Sequence, residues 1–356
     1  MKKFQANNLP VLIGSLPLTD HEAANRMVLQ YTPEIPIWVQ LPVYKEEGMI
    51  FQFTPGLPGL NLEDDEPFIN TSDERFNDDL LKFYEEYIAV AEGNKDIDDS
   101  RFALKPDTAK GFFTLMKNLK GLSKSLVAVK GQITGPITFA TAVKDQNKRA
   151  IFYDEQLKDA SVKLLAMKAK WQVKKLSEFG SPVIIFFDEP ALAGFGSSEF
   201  ISISRQEVAA CFEEVIEAVH KEGGLAGIHV CANSDWSLIL DSSVDIVNFD
   251  AYSFFDTFIL YADSVKKFIQ SGRIIAWGII PTLNTADIER ETAESLLIKF
   301  NQITEKVVSL TGIEKSQLLA QSLISPSCGA GSLSLEHAVK VLQMTRDVSD
   351  NLKTEL

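Results

Sequence analysis

The chain has 356 residues, of which 45% are hydrophobic and 24% charged, and its formal net charge is -14. This composition is typical of a globular protein with enough apolar residues for a large core. The acidity argues against a nucleic-acid-binding surface, which needs clustered basic residues. No apolar run approaches the roughly 20 residues of a membrane span, and no signal-peptide core is visible. Three cysteines do not indicate a disulfide framework, so we expect a soluble, cytoplasmic protein.

Eight short apolar runs, rich in Val, Ile and Leu, alternate with helical patterns along the chain. Runs of this kind are typical of strands that are buried on both faces. The predicted strands are Pro10–Gly14, Ile37–Leu41, Leu126–Ile133, Val183–Phe187, Ala226–Val230, Ile246–Phe249, Ile274–Ile280 and Leu318–Ile324.

The segments between the later strands have helical patterns with recognisable ends. A long helix is predicted over Asp154–Phe179, because Gly180 follows it and glycine commonly ends a helix. The sequence Ser204–Glu207 is that of a capping box, which predicts the start of the next helix. Two further helical patterns cover Asn284–Thr311 and Ser334–Lys353.

The alternation of strands and helices predicts a parallel sheet with right-handed crossovers. Eight such units favour closure into one (β/α)8 TIM barrel, an α/β fold, as a single domain over residues 1–356. Residues Tyr44–Asp99 break the pattern because they are rich in Gly, Pro, Asp and Glu. We interpret residues 44–99 as an insertion after the second strand, with a helix around Asp79–Ala91, and we expect it to cover the mouth of the barrel.

Polar residues follow the carboxyl ends of the predicted strands, where the active sites of barrel enzymes are built. His229 and Cys231 lie on the same face of a strand, because strand side chains alternate between the two faces. Cys328 follows the last strand. Imidazole and thiolate ligands suit Zn²⁺, and three protein ligands are typical of a catalytic zinc site with an open position. The alternative is that His229 and Cys231 are buried and inert.

Three more strand ends supply candidate site residues. Asp250 is either a fourth zinc ligand or a residue that supports the ligands or caps a helix. Asp188 is placed to bind an ammonium group or to act in acid–base chemistry, or else it caps a turn. Thr134 and Gly135 allow the backbone to approach a substrate, although a helix start before Pro136 explains them equally well. We assign no catalytic role to Cys211, His21, His220 and His337.

Together these motifs resemble the C-terminal catalytic barrel of the cobalamin-independent methionine synthases. The wider superfamily includes corrinoid:thiol methyltransferases and uroporphyrinogen decarboxylase. The resemblance covers most of the chain and is specific as an ordered set of motifs rather than through any one of them. It runs through Ile13–Ser15, Thr134–Pro136, Asp188–Leu192, His229-x-Cys231 and Pro326–Gly329.

The resemblance implies roles for individual residues. His229, Cys231 and Cys328 would hold zinc and activate a thiol, and Asp250 would take the place of the family's glutamate ligand. Ser15 and Asp188 would contact the amino-acid part of homocysteine.

The chain also departs from the folate-dependent members of that family. We find no counterpart of their second, N-terminal barrel or of the arginine–cysteine pair that they use at the folate. Residues Ile137–Thr141 contain no tryptophan where those enzymes stack their folate. Residues Gly278–Thr282 lack the catalytic histidine that is expected after the seventh strand.

These departures predict a short methionine synthase that uses Zn²⁺ and methylates homocysteine. They favour a methylated corrinoid protein as the methyl donor over methyl-folate. One alternative is methyl transfer to another thiol such as coenzyme M, although Asp188 favours an amino-acid acceptor because coenzyme M carries no ammonium. The other alternative is a zinc-dependent binding protein without catalytic activity.

Overall fold

The computed structural model describes residues 4–63, 66–121, 126–195 and 203–353. Within these ranges the chain forms ten strands and thirteen α-helices. The strands are β1 (Leu9–Pro10), β2 (Leu60–Glu63), β3 (Glu66–Ile69), β4 (Val129–Thr134), β5 (Lys144–Asp145), β6 (Val183–Asp188), β7 (Leu225–Val230), β8 (Ile246–Phe249), β9 (Ile274–Ile280) and β10 (Ser322–Pro326).

The helices alternate with the main strands, as the sequence predicts. They are α1 (His21–Tyr31), α2 (Phe76–Ala91), α3 (Lys110–Leu119), α4 (Pro136–Ala142), α5 (Glu155–Leu176), α6 (Arg205–Lys221), α7 (Trp236–Leu240), α8 (Ala251–Phe258), α9 (Ala262–Gln270), α10 (Thr285–Arg290), α11 (Ala293–Thr311), α12 (Lys315–Ala320) and α13 (Leu335–Lys353). Among the described residues, no helix is both long enough and apolar enough to cross a bilayer.

Seven of the described strands form one curled parallel sheet in the order β1-β10-β9-β8-β7-β6-β4. The strands β4, β6, β8, β9 and β10 are buried along their whole length. Burial on both faces explains why β6, β8 and β9 appear in the sequence as nearly continuous apolar runs, whereas β4 buries the polar residues Lys130 and Gln132. The parallel α/β architecture is therefore confirmed.

The predicted second strand does not form a regular strand. Ile37 makes an isolated parallel bridge with Lys130 of β4, and Gln40 makes another with Ser15. Pro36 immediately precedes this segment, and proline has no N–H to donate to a sheet. The predicted (β/α)8 barrel is thus confirmed in part, because the described sheet has seven strands and the segment that would close it forms only isolated bridges.

Several predicted boundaries were wrong. The first strand was predicted over Pro10–Gly14 but forms over Leu9–Pro10, and the third was predicted from Leu126 but begins at Val129. The last strand was predicted from Leu318, but Leu318 lies in α12 and β10 begins at Ser322, so one apolar run contains both elements. The predicted helix over Asn284–Thr311 is two helices, because Thr292 caps a new helix, α11, with its side chain. A capping residue inside an apolar pattern ends one helix and starts another.

Other predicted helix ends are confirmed. Asp154 caps α5, and Gly180, at φ 70°, follows the short turn after it. Ser204 and Glu207 form the predicted capping box of α6. These ends were predictable because they depend on local side chains.

The described part of residues 44–99 folds as three short 3-10 turns, an antiparallel pair formed by β2 and β3, and α2. The predicted helix around Asp79–Ala91 is α2, which starts at Phe76. Residues 64 and 65 of the acidic run lie outside the described ranges. The interpretation of residues 44–99 as an insertion, and of residues 1–356 as one domain, stays a prediction.

Candidate active site

A cavity of about 360 Å³ lies at the carboxyl ends of the sheet strands. It is called the site cavity below. Polar and thiol side chains from widely separated parts of the sequence line it, because parallel strands bring their carboxyl ends to one edge of the sheet. Its chemically informative lining residues are Ser15, Gln40, Asp188, His229, Cys231 and Cys328.

The predicted zinc ligands converge in the site cavity. One ligand atom from each of His229, Cys231 and Cys328 lies within 4.8 Å of the others. His229 is buried, whereas the two cysteines are partly exposed to the cavity. Over the described ranges, no other group of three His, Cys, Asp or Glu residues meets this criterion. The arrangement suits Zn²⁺, which accepts mixed nitrogen and sulfur ligands.

Asn248 determines which nitrogen of His229 is available to a metal. The Asn248 amide donates to the Ala276 carbonyl at 2.8 Å and to Ser325 Oγ at 2.7 Å. Asn248 Oδ1 therefore faces His229 Nδ1, at 2.5 Å, and must accept its proton. His229 Nε2 is then unprotonated and carries a free lone pair. It is buried, and it has no hydrogen-bond partner among the described residues. This atom fits a metal, since ligating histidines commonly donate their other N–H to an oxygen.

The two thiols differ in their tendency to ionise. The Cys328 thiol, followed by His229, lowers the pKa of Cys231 to about 4. The same pairing with Cys231, together with burial, raises the pKa of Cys328. One thiolate is thus stabilised in the protein without a metal, and a bound cation would favour ionisation of the second.

Asp250 does not belong to the group of converging ligand atoms. Its Oδ1 accepts the Ser253 N–H at 2.9 Å and caps α8. Its Oδ2 is buried without a hydrogen-bond partner in the described chain, and burial raises its pKa. The helix-capping alternative is therefore observed, and the role of Asp250 as a fourth ligand stays a prediction.

Asp188 lies at the end of β6 and lines the site cavity. It is 6% exposed, and its Oδ1 has no hydrogen-bond partner among the described residues. Lys130 is fully buried in the same region, with its ammonium 4.0 Å from the centroid of the Phe186 ring and also without a hydrogen bond there. Burial raises the pKa of Asp188 to about 6 and lowers that of Lys130 to about 7. Such perturbed groups beside a cavity are typical of functional sites.

Ser15 lies beside the Cys328 segment. Its Oγ accepts the Gly331 N–H at 3.2 Å, and its carbonyl accepts the Ala330 N–H at 3.0 Å. A Cβ atom at Gly329 would lie 2.1 Å from Ser15 Oγ, so this close approach requires glycine. The predicted residues Ser15, Asp188, His229, Cys231 and Cys328 thus all line one cavity.

Thr134 and Gly135 are engaged in contacts with the protein itself. The Thr134 hydroxyl donates to the Met49 carbonyl at 2.5 Å. Gly135 precedes α4, and a Cβ atom there would lie 2.2 Å from the carboxyl carbon of Glu189. The helix-start alternative is therefore observed, and substrate contact by these two residues stays a prediction.

Glu189 was missed as a functional candidate by the sequence analysis. It is fully buried, and it accepts the backbone N–H groups of Ile137 and Thr138 at 2.9 and 2.8 Å. Burial raises its pKa to about 7, although these hydrogen bonds act in the opposite direction. Its place next to Asp188 was visible in the sequence, but its helix-capping partners 51 and 52 residues away were not.

The sequence analysis also did not predict two pairs of polar side chains at the cavity. His21 Nε2 lies 2.5 Å from Glu47 Oε1, and Glu47 Oε2 accepts the Leu41 N–H at 2.9 Å. Gln40 Nε2 donates to Gln52 Oε1 at 2.6 Å. Gln40 stood at a predicted strand end, which was a usable signal, whereas the His21–Glu47 contact had none. Gln40 and Glu47 both line the site cavity, so each pair holds one lining side chain in place.

Comparison with known families defines the class of protein. The family model described as "Cobalamin-independent synthase, Catalytic domain" matches residues 113–351. This is more than half of the chain, and the chain belongs to this family. Membership indicates a methyltransferase related to methionine synthase. A search of curated proteins found no match.

One solved structure shows a similar fold over nearly its whole length. A B12-independent methionine synthase from Shewanella sp. W3-18-1, in complex with selenomethionine, is similar with a TM-score of 0.56 and 15% identity. The alignment covers 98% of each chain. A methyltransferase from Methanosarcina mazei has 18% identity and a TM-score of 0.44, over 67% of this chain and 64% of its own. At 15% identity the likeness to the methionine synthase structure concerns the fold alone.

Proposed function

We propose that the protein is a zinc-dependent methyltransferase that moves a methyl group to the thiol of homocysteine and forms methionine. The observation that carries the proposal is the convergence of the ligand atoms of His229, Cys231 and Cys328 within 4.8 Å. The orientation of His229 by Asn248 adds to it, because a buried, unpartnered Nε2 fits a metal better than it fits an inert core. Membership of the methionine synthase family supports the reaction class.

In this proposal, His229 Nε2 and the sulfur atoms of Cys231 and Cys328 hold the metal. Bound Zn²⁺ lowers the pKa of a coordinated thiol and so provides a thiolate nucleophile at neutral pH. Asp188 supplies a carboxylate on the same cavity wall and attracts the ammonium of an amino-acid thiol. This charge favours homocysteine over coenzyme M, which has no ammonium.

Ser15, Thr134 and Gly135 are the remaining predicted substrate residues, and we propose that they determine the shape of the site. Ser15 is held by Gly331 and Ala330 beside the Cys328 segment, where it bounds the space for the amino-acid part. Thr134 holds the Met49 carbonyl, and Gly135 leaves room for Glu189. We propose that these two residues influence the substrate through the walls that they position.

For the methyl donor we propose a methylated corrinoid protein. All four tryptophans, at positions 38, 171, 236 and 277, are buried in the core, so none is available to stack on a folate ring in the cavity. His229 is the one histidine among the described cavity-lining residues. A corrinoid fits this lack of a second histidine, because cobalt leaves as Co(I) with the bonding electron pair and needs no proton. The description of the family as cobalamin-independent favours a different donor, and methyl-folate is therefore the explicit competitor.

Replacement of Cys328 by serine tests the metal site and the reaction together. We expect Cys328→Ser to lose bound zinc and methionine formation in parallel, because two ligands hold Zn²⁺ much more weakly than three. The matched control is Cys211→Ala, since Cys211 is buried in α6 away from the site cavity and should not affect zinc content. Zinc is counted by mass spectrometry of the metal, and methionine by chromatography.

Three outcomes would contradict parts of the proposal. Full activity of a metal-free Cys328→Ser protein would exclude a zinc-activated thiol. Methylation of coenzyme M in preference to homocysteine would overturn the acceptor. Tight zinc and thiol binding without methyl transfer from any donor would favour the non-catalytic binding protein.

A further inference from the structure

We propose that Ser327 and Thr282 are positioning residues that hold Cys328 where it can bind the metal together with His229 and Cys231. The inference rests on the proposed function, since it concerns the metal site. Neither Ser327 nor Thr282 is among the described residues that line the site cavity. They therefore act on the site through Cys328 and not by contact with a substrate.

The chain changes register shortly before Cys328. Strand β10 pairs with β9 in a regular parallel register as far as Ser325, which lies opposite Gly278. The next residue, Pro326, lies opposite Ile280, so one residue of β9 is passed over. Irregularities of this kind are common beside active sites, because they redirect the side chains that follow. The direction of Cys328 therefore depends on what holds the chain after this shift.

Hydrogen bonds between Ser327 and the end of β9 hold the chain there. The Ser327 N–H donates to the Ile280 carbonyl at 2.8 Å, and the Thr282 N–H donates to Ser327 Oγ at 3.1 Å. The hydroxyl oxygens of Ser327 and Thr282 lie 2.9 Å apart, which is a third hydrogen bond. Both side chains are buried, and a buried group that loses its partner cannot turn to water instead. The residue directly before Cys328 is thus tied to the end of β9.

Close packing at Gly278 restricts the same turn. A Cβ atom at Gly278 would lie 2.9 Å from Ser327 Cα and 2.4 Å from the carbonyl oxygen of Phe249 in β8. The backbone of β9 is therefore in close contact with both β8 and Ser327. This packing prevents Ser327 from moving toward β9, and the hydrogen bonds prevent it from moving away. The position of Cys328 depends on both.

Cys328 is the ligand that needs such support. His229 lies in β7 and Cys231 directly follows this strand, so one strand sets the spacing of both. Cys328 follows a different strand, and its distance from the other two ligands depends on contacts across the fold. A ligand that is held before the metal binds loses less freedom on binding. Loss of the Ser327–Thr282 contact should therefore weaken the metal site by loosening Cys328 alone.

Metal affinity and the absorption of bound Co²⁺ test this role. Co²⁺ takes the place of Zn²⁺ in the full chain, and its sulfur-to-metal charge-transfer band reports the cysteine ligands. We expect Ser327→Ala to weaken zinc binding by roughly 10–100-fold in a chelator competition, as is typical for residues that support a ligand. The charge-transfer band per bound Co²⁺ should also fall, because Cys328 binds the metal in fewer molecules.

Variants at Thr282 separate the hydroxyl contact from general packing. Thr282→Val should weaken zinc binding less than Ser327→Ala, because the backbone N–H of residue 282 still reaches Ser327 Oγ. Thr282→Ser keeps the hydroxyl and should bind zinc nearly as tightly as wild type. The double variant of Ser327→Ala and Thr282→Val should lose no more affinity than Ser327→Ala, since both changes remove the same contact.

Ser349→Ala is the matched control. Ser349 is a fully buried serine in α13, and its hydroxyl donates to the Asn8 carbonyl at 2.7 Å. This hydrogen bond joins α13 to the chain just before β1, at the opposite end of the strands from the site cavity. Its loss should leave the zinc affinity and the Co²⁺ spectrum unchanged, even if it lowers the free energy of unfolding.

The outcomes distinguish this inference from the proposed function. A wild-type protein without the charge-transfer band would overturn the metal site and this inference together. A wild-type protein with the band, whose affinity and spectrum are unchanged in Ser327→Ala, would overturn the inference alone. Equal zinc affinities of Thr282→Val and Thr282→Ser, or an equal loss in Ser349→Ala and Ser327→Ala, would also overturn it.

Discussion

At the scale of single residues, the orientation of His229 depends on one amide. Asn248 has both amide hydrogens engaged, by the Ala276 carbonyl and by Ser325 Oγ, so only its oxygen can face His229. The consequence is that His229 carries its proton on Nδ1 and offers Nε2 to the cavity. A ligand that is oriented before the metal arrives loses less rotational freedom on binding.

We expect Asn248→Leu to weaken zinc binding by roughly 10–100-fold, because residues that orient a metal ligand typically contribute this much. The measurement is a competition titration with a zinc chelator. Ser325→Ala is the matched control, since it removes one acceptor of the Asn248 amide while the Ala276 carbonyl still holds it. Unchanged affinity in Asn248→Leu would mean that His229 does not need this partner.

A second prediction at this scale concerns the effect of a side chain at Gly135 on stability. Its φ of -70° suits any residue, so the effect of a side chain depends only on space. A Cβ atom would lie 2.2 Å from the carboxyl carbon of Glu189. We expect Gly135→Ala to lower the free energy of unfolding by roughly 1–3 kcal/mol, since overpacked cores cost about this much.

The control for Gly135 is Gly121→Ala. The nearest heavy atom to a Cβ at Gly121 is a carbonyl oxygen at 3.6 Å, which is an ordinary contact. Urea unfolding should therefore show a change within about 0.5 kcal/mol for Gly121→Ala. Similar stabilities of the two variants would contradict the close packing of Glu189 against Gly135.

At the scale of elements, His220 links the last turn of α6 to the segment before β8. The sequence analysis assigned no catalytic role to His220. Its Nε2 lies 2.7 Å from Asp245 Oδ2. The hydrogen bond with Asp245 raises the pKa of His220. The folded protein therefore binds a proton here more tightly than the unfolded chain does.

This link should make stability depend on pH. The contribution of His220 is fully present below its unfolded pKa of about 6.5 and is lost as the pH rises through the raised folded value. We expect the stability advantage of wild type over His220→Gln to shrink as the pH rises above about 6.5 and through the raised folded pKa. The change should stay below about 1 kcal/mol, because solvent screens this partly exposed pair.

Urea unfolding of both proteins across this pH range measures the effect. Added salt should reduce the difference, since the pair is partly exposed. An advantage that grows with pH would contradict the assigned sign.

Elements were predictable where their signals are local. The capping box of α6 and the glycine after α5 were correct, because they involve neighbouring side chains. The second strand was predicted from its apolar run, but its pairing depends on Lys130 and Ser15, which are far away in the sequence. Apolar periodicity also could not separate α12 from β10, since both are buried.

At the scale of the whole molecule, the parallel sheet gathers residues that are distant in the sequence. It could be predicted that Ser15, Asp188, His229, Cys231 and Cys328 meet. Each lies in or after the carboxyl-terminal end of a strand, and these ends share one edge of the sheet. The roles of Gln52, Asn248 and Lys130 could not be predicted, because they depend on side-chain contacts across the fold. The sequence therefore predicts which groups can react, and the structure adds what orients them.

The most direct test of the account is methionine formation from homocysteine by the zinc-loaded protein, with methylcobalamin and methyl-folate offered in parallel. The account predicts product with methylcobalamin and none with methyl-folate, because the cavity has no exposed tryptophan and no second histidine among its described lining residues. Product with methyl-folate would contradict the corrinoid donor, and no product with either would contradict methyl transfer to homocysteine from these two donors.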